Sequence, residues 1–138
     1  MKVSVAVDRT GVPVGVLTAA ANAADVTLAA DTLGSIPEGV EPPAGTPVIA
    51  DRGYDSDPLR AELAAEGYRL IAPHRKNRRK PATNDGRRLR RYKRRYIVER
   101  SNSWLHSFRR AMTRYEYYSY LFDGFVYLAC AFIAIGRL

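Results

Sequence analysis

Two carboxylates, Asp51 and Glu99, stand where their surroundings could support metal chemistry. Asp51 follows the apolar run "PVIA" and precedes Arg52, Gly53 and Tyr54. A short strand that ends in a carboxylate, with a glycine close behind to allow a sharp turn, aims that carboxylate at an open crevice. Glu99 follows after 47 intervening residues, inside the basic stretch "RRLRRYKRRYIVERSNSWLHSFRRAMTRY". Helical periodicity over that stretch gathers Ile97, Trp104, Leu105, Phe108 and Met112 into a core stripe. The same periodicity puts Tyr92, Arg95, Glu99, His106 and Arg109 on the opposite side. Hard carboxylate oxygens suit Mg²⁺ or Mn²⁺, the ions that phosphoryl transfer on DNA requires. Each residue also has a plainer reading. Asp51 can cap a turn, and Glu99 can pair with Arg95 four positions earlier.

The elements that must position these residues follow from the sequence pattern. "KVSVAVD" alternates, with Val3, Val5 and Val7 on one face, and "VPVGVLTA" does the same after Arg9-Thr10-Gly11, which predicts an antiparallel hairpin. A short helix closed by Gly34 comes next, then a Pro- and Gly-rich loop and the strand "PVIA". Asp57 reads as a helix N-cap with Pro58 at the first helical position, Leu59 and Leu63 as the apolar stripe and Gly67 as the stop. "YRLIAP" is a further strand, "HRKNRRKPATNDG" a polar loop, and a long basic helix and an apolar closing helix complete the order. A hairpin followed by alternating strands and helices predicts one α/β domain over residues 1–138, a mixed sheet flanked by helices.

The charge is very unevenly placed. Fifteen of the 22 Lys and Arg lie between Arg75 and Arg110 against only Asp85 and Glu99, a net of +13 that leaves −5 for the rest of a chain whose total is +8. A basic segment on a near-neutral body points to a polyanion, nucleic acid before acidic lipid. Cys130 is the sole cysteine and sits in an apolar run, so disulfides within the chain and thiolate clusters are excluded. A reduced, cytoplasmic setting and a small core side chain fit it. The run from Phe125 to Ile135 is shorter than the ~20 residues of a span, which favours a buried closing helix over a membrane anchor.

"VIADRGYDS", with Glu99 in "YKRRYIVERSNSWLHSFRR" farther on, resembles bacterial insertion-sequence transposases of the DDE class, the insertion sequence five group in particular. The opening "VAVDRTGVPVG" and closing "YLACAFIAIGRL" extend the resemblance over nearly the whole chain. That family's helix signature is Tyr, two residues, Arg, three residues, Glu, six residues, Lys. Tyr92, Arg95 and Glu99 match it, and His106 replaces the Lys, with Arg109 nearby to supply charge. The resemblance implies a ribonuclease-H-like fold with metal held by Asp51 and Glu99, and DNA contacts from Tyr92, Arg95, His106 and Arg109. It also implies a further aspartate on a strand preceding "KVSVAVD". Asp8 falls at a non-catalytic position, with a stand-in role as the alternative. The expected chain is therefore the C-terminal portion of a catalytic domain lacking its first strand, either a remnant or the second reading frame of an element.

The function so implied is DNA transposition: metal-dependent cleavage at element ends and joining to a target. An upstream companion polypeptide and a homo-oligomer are compatible partners. The competing reading is a non-catalytic nucleic-acid-binding module, for which the arginines and tyrosines suffice. A membrane-associated protein is the third reading. A serine or cysteine hydrolase lacks support, since no G-x-S-x-G motif occurs and the cysteine is apolar in context.

Overall fold

A computed structural model describes residues 1–83 and 86–137. Its elements are β1 (Lys2–Val7), β2 (Pro13–Ala19), α1 (Asp25–Gly34), β3 (Thr46–Ile49), α2 (Asp57–Ala65) and β4 (Tyr68–Ile71). After these come α3 (Gly86–Leu89), α4 (Tyr96–His106), α5 (Arg109–Met112) and α6 (Ser119–Ile135). Single 3-10 segments cover Arg52–Tyr54 and Arg90–Arg95.

The alternating valines form the expected hairpin, with Val5 opposite Val16 and a register shift between Ala6 and Val7. Val3, Val5 and Val16 join a core with Leu105 of α4 and Phe122, Val126 and Ile133 of α6. Helix α1 approaches β1 and β2 closely: Thr32 Oγ1 bonds Ser4 Oγ at 2.7 Å. A Cβ at Gly15 would lie 2.5 Å from the Thr32 carbonyl oxygen, so only glycine permits that approach. A second core gathers Leu33 and Ile36 around Leu59, Leu63 and Leu70. Here β3 and β4 pair in parallel, Val48 opposite Leu70, and α2 forms the connection between them.

The mixed α/β architecture expected from the sequence is present, and the structure adds corrections. Among the described residues the strands form two separate two-stranded sheets, β1–β2 and β3–β4, instead of one mixed sheet. The N-cap of α2 is Ser56, whose side chain accepts from Leu59 N at 3.3 Å, and Asp57 is already helical. Its carboxylate turns to Arg60 and Arg78 instead of capping.

The long basic helix is broken into α3, a 3-10 segment, α4 and α5. Ser107 Oγ bonds the Trp104 carbonyl at 2.6 Å and Phe108 is extended, which ends α4. Met112 is exposed as a result and leaves the core stripe. The closing helix buries one face only: Leu121, Leu128, Phe132 and Ile135 are exposed while Cys130 is buried. No helix among the described residues is long and apolar enough to cross a membrane. Of the polar loop read before the basic helix, residues 84 and 85 lie outside the described residues.

Candidate active site

Asp51 leaves β3 in extended conformation and caps the 3-10 turn, its Oδ1 accepting from Gly53 N at 2.8 Å. The capping role is therefore real, and it occupies one oxygen. Oδ2 accepts no hydrogen bond among the described residues. The side chain is half-buried at the mouth of the β3–β4 unit. Tyr54, close behind, has its phenol pushed up to about 12, first by burial and then by the charges of Asp25 and Asp51.

The 3-10 segment Arg90–Arg95 leads into α4 and packs near β3. That placement sets Arg95 against Glu99 and within reach of the charge of Asp51. Its guanidinium donates to the Tyr92 hydroxyl at 3.1 Å and pairs with Glu99 Oε1 at 2.5 Å. The Arg95 charge is stabilised first by the Tyr92 bond, against partial burial, and then by Glu99 and Asp51. Tyr92, Arg95, Glu99 and Asp51 thus share one electrostatic neighbourhood. His106 lies seven residues beyond Glu99, ~10 Å along the helix axis, and lines a small cavity with Met1 and Asn102. Arg109 opens α5, past the break, with its guanidinium 6.0 Å from the Tyr115 ring centroid.

The donor chemistry suits a hard divalent ion in part. Asp51 keeps one oxygen outside any hydrogen bond among the described residues, and Glu99 Oε1 is held by Arg95. Among the described residues no group of three or more His, Cys, Asp or Glu side chains is placed to hold a metal. Asp8 is taken up by its own turn, Oδ1 accepting from Thr10 N at 2.8 Å, Thr10 Oγ1 at 2.7 Å and Val12 N at 3.0 Å. Burial works against ionisation of Asp8, yet the bonds from Thr10, Val12 and Gly11 together hold its carboxyl below the ordinary value.

A larger polar cluster escapes sequence reasoning. The Asp55 side chain is 3% exposed and pairs with Arg60 at 2.7 Å and His74 Nδ1 at 2.9 Å. Its Oδ2 accepts from Arg75 N at 2.7 Å. Burial opposes its charge, but the Arg75 amide, His74 and Arg60 hold its carboxyl far below the usual range. Arg78 grips Asp57 with both terminal nitrogens, each at 3.1 Å. Thr83 N donates to His74 Nε2 at 2.9 Å, which puts the ring proton on Nδ1, facing Asp55. Arg75 and Arg78 therefore fasten the basic loop to the end of β3 and are internal partners as much as surface charge. The signal was the second and third carboxylates of "DRGYDSD", close behind Asp51.

Comparison with known proteins gives a consistent result. Residues 1–133 match the family model described as Transposase DDE domain. The chain is 33% identical over 137 residues to a Burkholderia cepacia protein assigned as the transposase of insertion sequence element IS402, a match that covers 95% of this chain and 61% of that protein. The chain thus spans about 61% of the length of the curated relative it matches. No solved structure matches the chain significantly.

Proposed function

The chain belongs to the transposase DDE domain family, and from that premise we propose that it is the portion of a DNA-transposing enzyme that carries two of three metal-binding carboxylates, Asp51 and Glu99. The observation that supports this reading is the ion pair of Arg95 with Glu99, formed at the end of a 3-10 segment that packs near β3, the strand that leads to Asp51. Asp51 and Glu99 would hold Mg²⁺ or Mn²⁺. Such an ion, when bound, supplies charge neutralisation at the scissile phosphate and an activated attacking oxygen. Arg95 releases Glu99 and turns to a DNA phosphate, Tyr92 orients Arg95, and His106 and Arg109 extend the phosphate track along the helix.

In this reading the fold is ribonuclease-H-like, of the insertion sequence five group, and residues 1–138 form one incomplete C-terminal catalytic portion. The split of the strands into a hairpin and a parallel pair supports it. One further strand bearing an aspartate, supplied by a companion polypeptide or by more of the same protein, unites the two sheets and adds the third carboxylate. The partners are element ends and target DNA, with self-association during synapsis, and the setting is the cytoplasm. A non-catalytic DNA-binding remnant is the second reading, favoured by the closed Arg95–Glu99 pair.

The test uses supercoiled plasmid and an end-bearing duplex with Mg²⁺ or Mn²⁺. The chain alone should bind both without nicking, and log affinity should fall steeply with log salt. Joined to an aspartate-bearing upstream strand it should nick and transfer. Asp51→Asn or Glu99→Gln should then abolish cleavage and leave binding intact. Nicking that survives Asp51→Asn removes the catalytic assignment, and a salt-independent binding curve removes the DNA reading.

A further inference from the structure

The turn that carries Asp51 is too short to hold itself. Arg52–Tyr54 is a single 3-10 turn, closed by Tyr54 N on the Asp51 carbonyl at 3.1 Å and by Asp55 N on the Arg52 carbonyl at 3.2 Å. Such a turn fixes many dihedral angles for few hydrogen bonds and is not stable alone. Its geometry decides where the carboxylate points, because Gly53 N holds Asp51 Oδ1 at 2.8 Å. A Cβ at Gly53 would lie 2.9 Å from that oxygen, so the carboxylate folds directly over the turn. A rotation at Gly53 therefore moves the Asp51 side chain.

Arg75, 22 positions beyond Gly53, grips this turn twice. Its main-chain N donates to Asp55 Oδ2 at 2.7 Å, and its Nη2 donates to the Gly53 carbonyl at 2.9 Å. The main-chain bond belongs to the buried Asp55 cluster, which Arg60 and His74 also hold. The side-chain bond acts on Gly53 itself. Arg75 is exposed, and among the described residues its guanidinium pairs with no carboxylate. Placed on Asp51, that guanidinium would compete with a metal ion for the carboxylate. Placed on the Gly53 carbonyl, it steadies the turn from behind and leaves Asp51 Oδ2 open.

We infer that Arg75 is a positioning residue for Asp51. Its guanidinium fixes Gly53, Gly53 fixes Asp51 Oδ1, and Oδ2 is thereby aimed at the crevice where a divalent ion would sit. The inference rests on the metal reading of Asp51 above and deepens it. It also takes Arg75 out of the set of cations that serve only to attract DNA. Removal of its side chain leaves the main-chain bond to Asp55 in place, so the consequence is confined to the turn.

The test measures Mn²⁺ binding to the whole chain by the loss of the free-ion signal in electron paramagnetic resonance. Asp51→Asn, which removes the proposed ligand, should remove the binding. Arg75→Gln should weaken it about fivefold, the worth of one hydrogen bond, with the urea midpoint unchanged. The sign is the decisive point, because removal of a nearby positive charge by itself strengthens cation binding. Lys76→Gln, which removes the same charge one residue on, should not weaken Mn²⁺ binding, and Arg75→Lys should recover most of what Arg75→Gln loses. Without metal, exchange of the Gly53 amide hydrogen followed by nuclear magnetic resonance should be faster in Arg75→Gln, with the Ile71 amide unaffected. Equal or tighter Mn²⁺ binding in Arg75→Gln overturns this inference and leaves the metal reading standing. An equal loss in Lys76→Gln overturns it, as does unchanged exchange at Gly53. A fall in the urea midpoint of Arg75→Gln also overturns it, because the residue is then a general brace. Absence of Asp51-dependent Mn²⁺ binding in the parent removes the metal reading and this inference with it.

Discussion

Arg95 and Glu99 form a 2.5 Å ion pair one helical turn apart, at the junction where a 3-10 segment becomes α4. The geometry is close, but the side chains are 36% and 56% exposed, so the solvent screens most of the attraction. On the proposed function the pair is a latch for a stronger ligand to open: a phosphate for the arginine, a cation for the glutamate.

Arg95→Gln should therefore change unfolding stability by no more than about 0.5 kcal/mol. Its effect should fall on DNA, with weaker binding and a salt dependence lowered by about one phosphate contact. Urea unfolding and anisotropy titrations at several salt concentrations check the two parts separately. A loss of several kcal/mol in stability would make the pair a structural brace.

Asp55 is the opposite case, a buried carboxylate among cations. Asp55→Asn leaves Arg60, with a 14% exposed side chain, facing a neutral group and should cost about 3 kcal/mol. The pH dependence has a definite sign. The folded-state carboxyl is held below its unfolded value, so the Asp55 contribution is complete above about pH 4 and drains as pH falls beneath it. Urea midpoints from pH 7 to pH 3 should fall less steeply in the variant than in the parent. Parallel curves would show that Asp55 ionises alike in both states.

Gly11 and Ser101 join the hairpin turn to the helix that carries Glu99. Ser101 Oγ donates to the Gly11 carbonyl at 2.6 Å, and Gly11 has φ +92°. A Cβ there would lie 2.8 Å from Ser101 Oγ and 3.3 Å from an Arg100 guanidinium nitrogen. Gly11→Ala should cost about 1–3 kcal/mol through backbone strain and displacement of α4. Ser101→Ala, which leaves the turn in place but removes its bond, should cost about 1 kcal/mol. Chemical unfolding of the two variants ranks them, and the reverse order would remove the strain argument.

The hairpin, the helix carrying Leu59 and Leu63, and the strand-end position of Asp51 were legible because each rests on local periodicity or a local turn. The Asp55 cluster was not, since its partners His74 and Arg78 lie about twenty residues away and only the fold brings them together. The break after His106 was hidden for another reason. Phe108 still packs against the core on the far side of the kink, so the apolar period runs on through it. Tyr92, Arg95 and Glu99 fell together as expected, because the i, i+3, i+7 spacing survives a 3-10 to α transition nearly unchanged. The half-open face of α6 was illegible because the run from Phe125 to Ile135 is apolar all round and looks the same from sequence whether one side or both are covered.

The contact between Ser101 and Gly11 spans 90 positions of the chain, and the one between Asp123 and Thr18 spans 105. Among the described residues the hairpin face of Val3 and Val5 packs into a core with residues of α4, α5 and α6, so its cover is made late in synthesis. At about 5–20 residues per second of synthesis, the first two strands wait roughly 5–20 s for their lid. Throughout that interval a nascent chain displays a sticky two-stranded ribbon to its neighbours. The yield of folded protein should therefore depend on how crowded the ribosomes are and how fast they move, well before the stability of the finished molecule matters.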